Sequence, residues 1–171
     1  MAGEATRVRT ARAADAAALA AIYNAAIEAR IATFETERRT AEERAAWLGR
    51  HDAGHPVLVA EMEDVVVGFA SVDPYRTRAC YAGVGEFSVY VAPAARRTGV
   101  GRRLMLALIE RCAALGYWKI LSRVFVENAA SRGLLRSVGF REVGVYERHA
   151  RLDGVWRDVV IVERLIEVNM G

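Results

Sequence analysis

Glu86-Phe87-Ser88-Val89-Tyr90-Val91-Ala92-Pro93-Ala94-Ala95-Arg96-Arg97-Thr98-Gly99-Val100-Gly101 decides how this chain is read. Its first six residues alternate polar and apolar, the period of a strand. Pro93 ends the run, and a short basic loop with two glycines follows. From Arg102 to Leu115 apolar residues return at helical spacing. The stretch therefore reads as strand, glycine loop, helix. The first turn of a helix carries backbone N–H groups without intrahelical partners. They point out of its positive end, where an anion fits well. Gly99 and Gly101 let backbone approach a ligand closely. Arg96, Arg97, Arg102 and Arg103 add charge suited to phosphate contact. The alternative is a cationic loop before an ordinary amphipathic helix.

Two nucleotide-binding loops are excluded. A Walker loop needs Lys after its last glycine, and Arg102 follows Gly101. A dinucleotide fingerprint needs a third glycine where Leu104 stands. Arg96-x-x-Gly99-x-Gly101 instead resembles the acetyl-CoA diphosphate loop of the GNAT superfamily of N-acetyltransferases. The resemblance implies acetyl-CoA as co-substrate, held by Arg96, Arg97, Thr98, Gly99, Val100, Gly101 and Arg102.

Outward from this stretch, the chain punctuates itself clearly. Thr6 to Arg12 alternates weakly and is a candidate first strand. Asp15 precedes a helix over Ala16–Ala29, with Leu19, Ile22, Tyr23 and Ala26 on one face. The pattern breaks at Ile31–Glu37. Thr40 and Glu43 form a capping box, opening a helix from Ala41 to about His51. Val57–Glu61 and Val65–Val72 read as a hairpin about Glu63-Asp64, interrupted at Gly68 and closed by Asp73-Pro74-Tyr75. The loop Arg76–Val84 leads into the central strand. After the helix that Gly116 stops, Tyr117–Val126 is an apolar strand, which implies a parallel crossover. A helix over Ala129–Val138 ends at Gly139. Phe140–His149 and Trp156–Leu165 are the last strands, turning at Asp153-Gly154. The order β-α-α-β-β-β-α-β-α-β-β specifies an α/β fold with a mixed central sheet flanked by helices. That is the GNAT arrangement, and residues 1–171 are expected to form a single domain.

Composition agrees with this reading. There are 171 residues, of which 53% are hydrophobic and 26% charged, ordinary for a globular domain. Twenty-four basic against 21 acidic residues give a net charge of +3, too weak to argue for nucleic acid. Two distant cysteines, Cys80 and Cys112, suggest no disulfide framework and fit a cytoplasmic setting. No apolar run is long enough for a membrane span, and Met1–Arg12 has no signal-peptide pattern. No metal site is expected.

Glu127-Asn128-Ala129-Ala130-Ser131, followed by Gly139-Phe140, resembles a second segment of the superfamily. The resemblance places Asn128 and Ser131 beside the pantetheine arm. Asn128 is equally a good helix N-cap. Where many family members carry a tyrosine that protonates the leaving thiolate, this chain has Leu135. Either another group supplies that proton or the thiolate leaves as an anion. Ala32–Glu37, Glu86–Val91 and Gly154–Asp158 are similar to the phosphinothricin acetyltransferase group. Tyr146–His149, Leu152–Gly154 and Asp158–Leu165 look most like its arsinothricin-resistance branch. This likeness implies a small anionic amino acid as acceptor and a homodimer.

Acetyl transfer needs a neutral amine, a polarised carbonyl and close alignment. Glu86 is the candidate base, on the strand face shared with Ser88 and Tyr90. A carboxylate in an apolar strand is costly without a role. Alternatively it lies at the strand entrance, solvated or paired with Arg76 or Arg78. Backbone N–H groups among Val89, Tyr90 and Val91 are candidates for the carbonyl oxygen. Arg76 and Arg78, two apart before Glu86, are candidates for the acceptor's negative groups, or a solvated loop. Thr33 and Phe34 fall in the break between the first helices, where the family's substrate loop lies. His149 is a further candidate for an oxyanion. Competing readings keep the cofactor but take a polyamine or peptide N-terminus, or make the chain a non-catalytic acyl-CoA sensor.

Overall fold

The computed structural model describes residues 6–171; residues 1–5, including the start of the polar N-terminus and of the proposed domain, lie outside the described residues. Among the described residues, seven strands form one sheet. They are β1 (Arg7–Thr10), β2 (Val57–Met62), β3 (Val65–Pro74), β4 (Val84–Val91), β5 (Lys119–Phe125), β6 (Arg141–Leu152) and β7 (Val155–Leu165). Four α-helices accompany them among the described residues: α1 (Ala16–Ala29), α2 (Ala41–Gly49), α3 (Val100–Ala114) and α4 (Ala129–Ser137). The chain order is the one expected from sequence. The strands lie in the order β1-β2-β3-β4-β5-β7-β6. Every neighbouring pair is antiparallel except β4 and β5. That parallel pair is joined through α3.

Each face of the sheet is covered for a reason visible in the sequence. On one face the apolar stripe of α3 (Leu104, Met105, Leu108 and Cys112) is fully buried with Ala70, Val72, Phe87 and Ile120. Gly68 permits this closeness: a Cβ there would sit 3.0 Å from the Leu104 side chain and 3.1 Å from the Tyr90 carbonyl. The strand interruption expected at Gly68 is a β-bulge beside it, with Ala60 opposite Gly68 and Glu61 opposite Val66. On the other face Leu19 and Ile22 of α1 bury against Val59 and Phe69. Truncating any of these buried leucines would cost about 2–5 kcal/mol.

Several boundaries differ from the sequence reading. Asp73 and Pro74 do not close the hairpin; they continue β3, paired with Glu86 and Gly85. Strand β4 begins at Val84, so Glu86 is inside the strand and not at its entrance. Strand β6 runs on to Leu152, three residues past His149. Between Tyr146 (opposite Val159) and Ala150 (opposite Arg157) it bulges. Arg148 adopts φ 49° there, and its N–H donates to Asp158 Oδ1 at 2.7 Å. The Asp153-Gly154 turn has φ 49° and 77°, the left-handed pair of a tight hairpin.

Candidate active site

The corner after β4 is built from backbone. A short helical turn over Pro93–Ala95 is followed by Arg97 at φ 64° and Gly99 at φ 88°. Thr98 Oγ1 donates to the Ala95 carbonyl at 2.7 Å and closes the loop. Gly99 is the N-cap of α3 and has no side chain to cap it. The first helical bond runs from Arg103 N–H to Gly99 O at 3.1 Å. The preceding N–H groups at Val100, Gly101 and Arg102 are therefore presented at the helix end. Val100 is buried and anchors the turn, while Arg96, Arg97 and Arg102 stand exposed around it. A Cβ on Gly101 would come within 3.0 Å of Leu134 and 3.5 Å of Val91. This corner fits a diphosphate: open amides, local positive charge and no Cβ in the way.

Next to the corner the sheet opens. The parallel pairing of β4 with β5 covers only Val84–Lys119, Gly85–Ile120 and Glu86–Leu121. Beyond Glu86 the strands part. On its other edge β4 stays paired with β3 as far as Val91. Ala92 N–H donates toward β3, to Val67 O at 2.8 Å. Alternation along the strand then aims the N–H groups of Val89 and Val91 into the parting.

A cavity of about 780 Å³ fills this parting. Glu86 to Tyr90 line it on one side and Ser122 to Phe125 on the other, with Asn128, Ser131 and Leu135 closing one end. Asn128 does what a cap should: its Oδ1 accepts from Ser131 N–H at 3.1 Å. Its Nδ2 also donates to Ile31 O at 3.2 Å, tying α4 to the loop after α1. Leu135 is 2% exposed, a purely apolar wall.

The loop between α1 and α2 is pinned from below. Asn24, buried within α1, donates to Arg39 O at 2.9 Å and accepts from Arg39 N–H at 2.8 Å. Tyr23 and Thr33 share a 3.3 Å hydroxyl contact. Phe34 packs edge-on against Phe125 at 4.7 Å, with the His149 ring 6.5 Å from that of Phe34. The β6 bulge brings His149 to this wall. Behind Tyr23 lies the buried Arg44 guanidinium, 3.8 Å from the Tyr23 ring and 4.9 Å from that of Trp47. Burial holds its pKa below the usual arginine value. Burial likewise pushes the Tyr90 phenol well above the usual tyrosine range, so it stays protonated.

Of the sequence candidates, Glu86, Val89, Tyr90, Asn128, Ser131, Thr33, Phe34 and His149 line this one cavity. Val91 and the segment Arg96–Arg102 form the adjoining corner. Arg76 and Arg78 do not line it. Their loop leaves the sheet before β4 begins, and Arg76 lies 5.0 Å over the Tyr75 ring. The pairing of Glu86 with either arginine is also not what forms. Glu86 instead pairs with Arg123 of β5. Sequence reading missed Arg123 because a lone arginine in an apolar strand gives no sign of its partner. It missed Asn24 as well, whose signal was an amide inside the apolar stripe of α1.

Comparison with known proteins places the chain. The acetyltransferase (GNAT) family model matches residues 19–140. Phosphinothricin N-acetyltransferase of Alcaligenes faecalis is 38% identical over 159 residues, covering 92% of this chain and 81% of that protein. An L-methionine sulfoximine/L-methionine sulfone acetyltransferase of Salmonella typhimurium is 33% identical over 91% of this chain and 92% of its own. The solved GNAT superfamily phosphinothricin acetyltransferase of Sinorhizobium meliloti, in complex with acetyl-CoA, superposes with a TM-score of 0.87. It is 30% identical, over 94% of this chain and 88% of that one.

Proposed function

The chain belongs to the acetyltransferase (GNAT) family and is an acetyl-CoA-dependent N-acetyltransferase; from that premise we propose that it acetylates the α-amino group of a small anionic amino acid. Arsinothricin, phosphinothricin and methionine sulfoximine are the acceptors to expect, and acetylation would disarm them. The observation that carries this reading is Glu86 at the point where β4 and β5 part, on the face away from α3. A carboxylate there meets an amine arriving from the α1–α2 side.

Acetyl-CoA supplies the acetyl group as a thioester. The amides at Val100–Arg102, with Arg96 and Arg97, would hold its diphosphate. Asn128 and Ser131 would flank the pantetheine arm. The Val89 and Val91 N–H groups would meet the carbonyl oxygen. Glu86 takes the ammonium proton, directly or through water, so that the nitrogen lone pair is free to attack. Thr33, Phe34 and His149 shape the acceptor end, and Arg76 and Arg78 draw anions toward its mouth. Leu135 donates no proton, so in this reading the thiolate leaves as the anion.

The same reading includes a single domain over residues 1–171, a cytoplasmic setting and a homodimer. The free thiols of Cys80 and Cys112 support the compartment. Val143, Val145 and Tyr146, about half exposed on the edge strand β6, support the dimer. No helix among the described residues is long and apolar enough to cross a membrane.

A polyamine acceptor is the second reading, favoured by Glu35 and Glu37 in the cavity lining. Glu35 is already paired with Arg39, which weakens it. A thiol-release assay with acetyl-CoA tests both against arsinothricin, phosphinothricin, methionine sulfoximine and spermidine. Turnover with the amino acids and not with spermidine is expected. Turnover with spermidine alone, or with none of them, would overturn the proposal.

A further inference from the structure

One charged pair in the cavity has no role in a scheme that uses Glu86 alone. Glu86 and Arg123 stand on neighbouring strands, at and just beyond the last point where those strands pair. Glu86 is opposite Leu121 in the register, and Arg123 is two residues further along β5. Residues two apart on a strand share a face, so both side chains project to the acceptor side. Both line the cavity, and they form an ion pair. Their side chains are 30% and 44% exposed, so the pair borders solvent. It costs little to open.

We propose that this ion pair is the receptor for the zwitterionic head of an α-amino acid, with Arg123 holding the α-carboxylate. The inference rests on the reading above that the acceptor's amine meets Glu86. An α-amino acid carries its ammonium and carboxylate on one carbon. The protein presents one charge of each sign in direct contact. When such an acceptor enters, the partners exchange. The ammonium faces Glu86 and the carboxylate faces Arg123, whose planar fork suits bidentate carboxylate binding. No charge is left unpaired at any stage.

The exchange also selects against other amines. A simple amine can reach Glu86 only by taking it from Arg123, and it offers Arg123 nothing in return. Stranding a charge in this way discriminates more strongly than adding a contact. The same logic orders the chemistry. Once Arg123 is engaged by the carboxylate, it no longer competes for Glu86. The carboxylate is then free to accept the ammonium proton while the amine is pinned beside the parting.

The test compares wild type, Arg123→Met and Arg123→Lys with phosphinothricin and with the same molecule as its α-carboxamide. Thiol release gives kcat/KM for each, and the KM for acetyl-CoA is measured alongside. Wild type should prefer the acid. In Arg123→Met, kcat/KM for the acid should fall by about thirtyfold, chiefly through KM, and the acid-to-carboxamide ratio should collapse toward one. Arg123→Lys should restore part of that ratio, because it keeps the charge without the fork. The acetyl-CoA KM should stay near wild type in both, which excludes general misfolding. An unchanged acid-to-carboxamide ratio in Arg123→Met, with wild type turning over the acid, overturns this inference alone. If wild type acetylates amines but no α-amino acid, the proposed acceptor class falls and this inference falls with it.

Discussion

The corner at Gly99 and the cavity beside Glu86 are neighbours built in opposite ways. The corner comes from one continuous stretch, and what it presents is backbone amides at a helix end. The cavity is assembled from the α1–α2 loop, β4, β5, the start of α4 and the β6 bulge. Its lining is made of side chains that meet only after folding. In the proposed function the corner takes the diphosphate common to every user of acetyl-CoA, which a fixed backbone cradle suits. Acceptors differ, and side chains on loops and bulges can change without disturbing the sheet. The two regions should therefore fail separately when mutated.

The largest separation should come from Glu86→Gln. We expect kcat to fall about 10²–10⁴-fold near neutral pH, with the acetyl-CoA KM unmoved. Activity should recover partly at high pH as the amine loses its own proton. A pH–rate profile identical to wild type would remove Glu86 as the base. Next, Arg96→Ala combined with Gly99→Ala should raise the acetyl-CoA KM by about tenfold and leave the acceptor KM alone. At φ 88° alanine is strained, whereas Gly99→Asn should be milder, since Asn tolerates this conformation. Unchanged coenzyme affinity in the double variant would dismantle the corner assignment.

A control belongs to neither region. Glu163 is 8% exposed, held 2.7 Å from Lys119 Nζ and 2.9 Å from Arg141 Nε. The Lys119 contact leads in holding its carboxyl below the usual glutamate value, with Arg141 adding to it. A carboxylate with a lowered folded pKa stabilises the protein above its unfolded value. That stability disappears as pH falls through the folded value. Glu163→Gln should cost about 1–3 kcal/mol at neutral pH and flatten the loss of Tm below about pH 4.5. Neither KM should move, and a change in either would tie Glu163 to the site. The smallest effect is expected at Arg76. Arg76→Ala should raise the acceptor KM only about two- to threefold at low salt, fading as salt rises. A large, salt-independent loss would place Arg76 inside the cavity after all.

The same contrast explains what the sequence revealed. The element order was legible because each break carries its own chemistry: the Thr40–Glu43 capping box, the Asp153-Gly154 turn, Pro93 and Gly116. The corner was legible because glycines and arginines at fixed spacing describe a local shape. In the cavity, Thr33, Phe34, Glu86 and His149 were legible as candidates, and all four line it. Arg123 was not, because the Glu86–Arg123 pair links residues 37 apart in sequence. Arg76 and Arg78 stand outside the cavity lining, because closeness to Glu86 along the chain is not closeness in space. His149 reaches the cavity through a β6 bulge held by Asp158, and no local pattern announces a bulge of that kind.

In the proposed function the acceptor reaches the parting of β4 and β5 from the α1–α2 side of the sheet, and acetyl-CoA reaches it from the side of α3 and α4. A crystal structure with CoA and phosphinothricin bound tests it most directly. The account predicts the diphosphate on the amides of Val100–Arg102, the thiol end beside Val89, and the acceptor nitrogen next to Glu86. CoA found away from that corner, or both ligands entering from the same face, would contradict it.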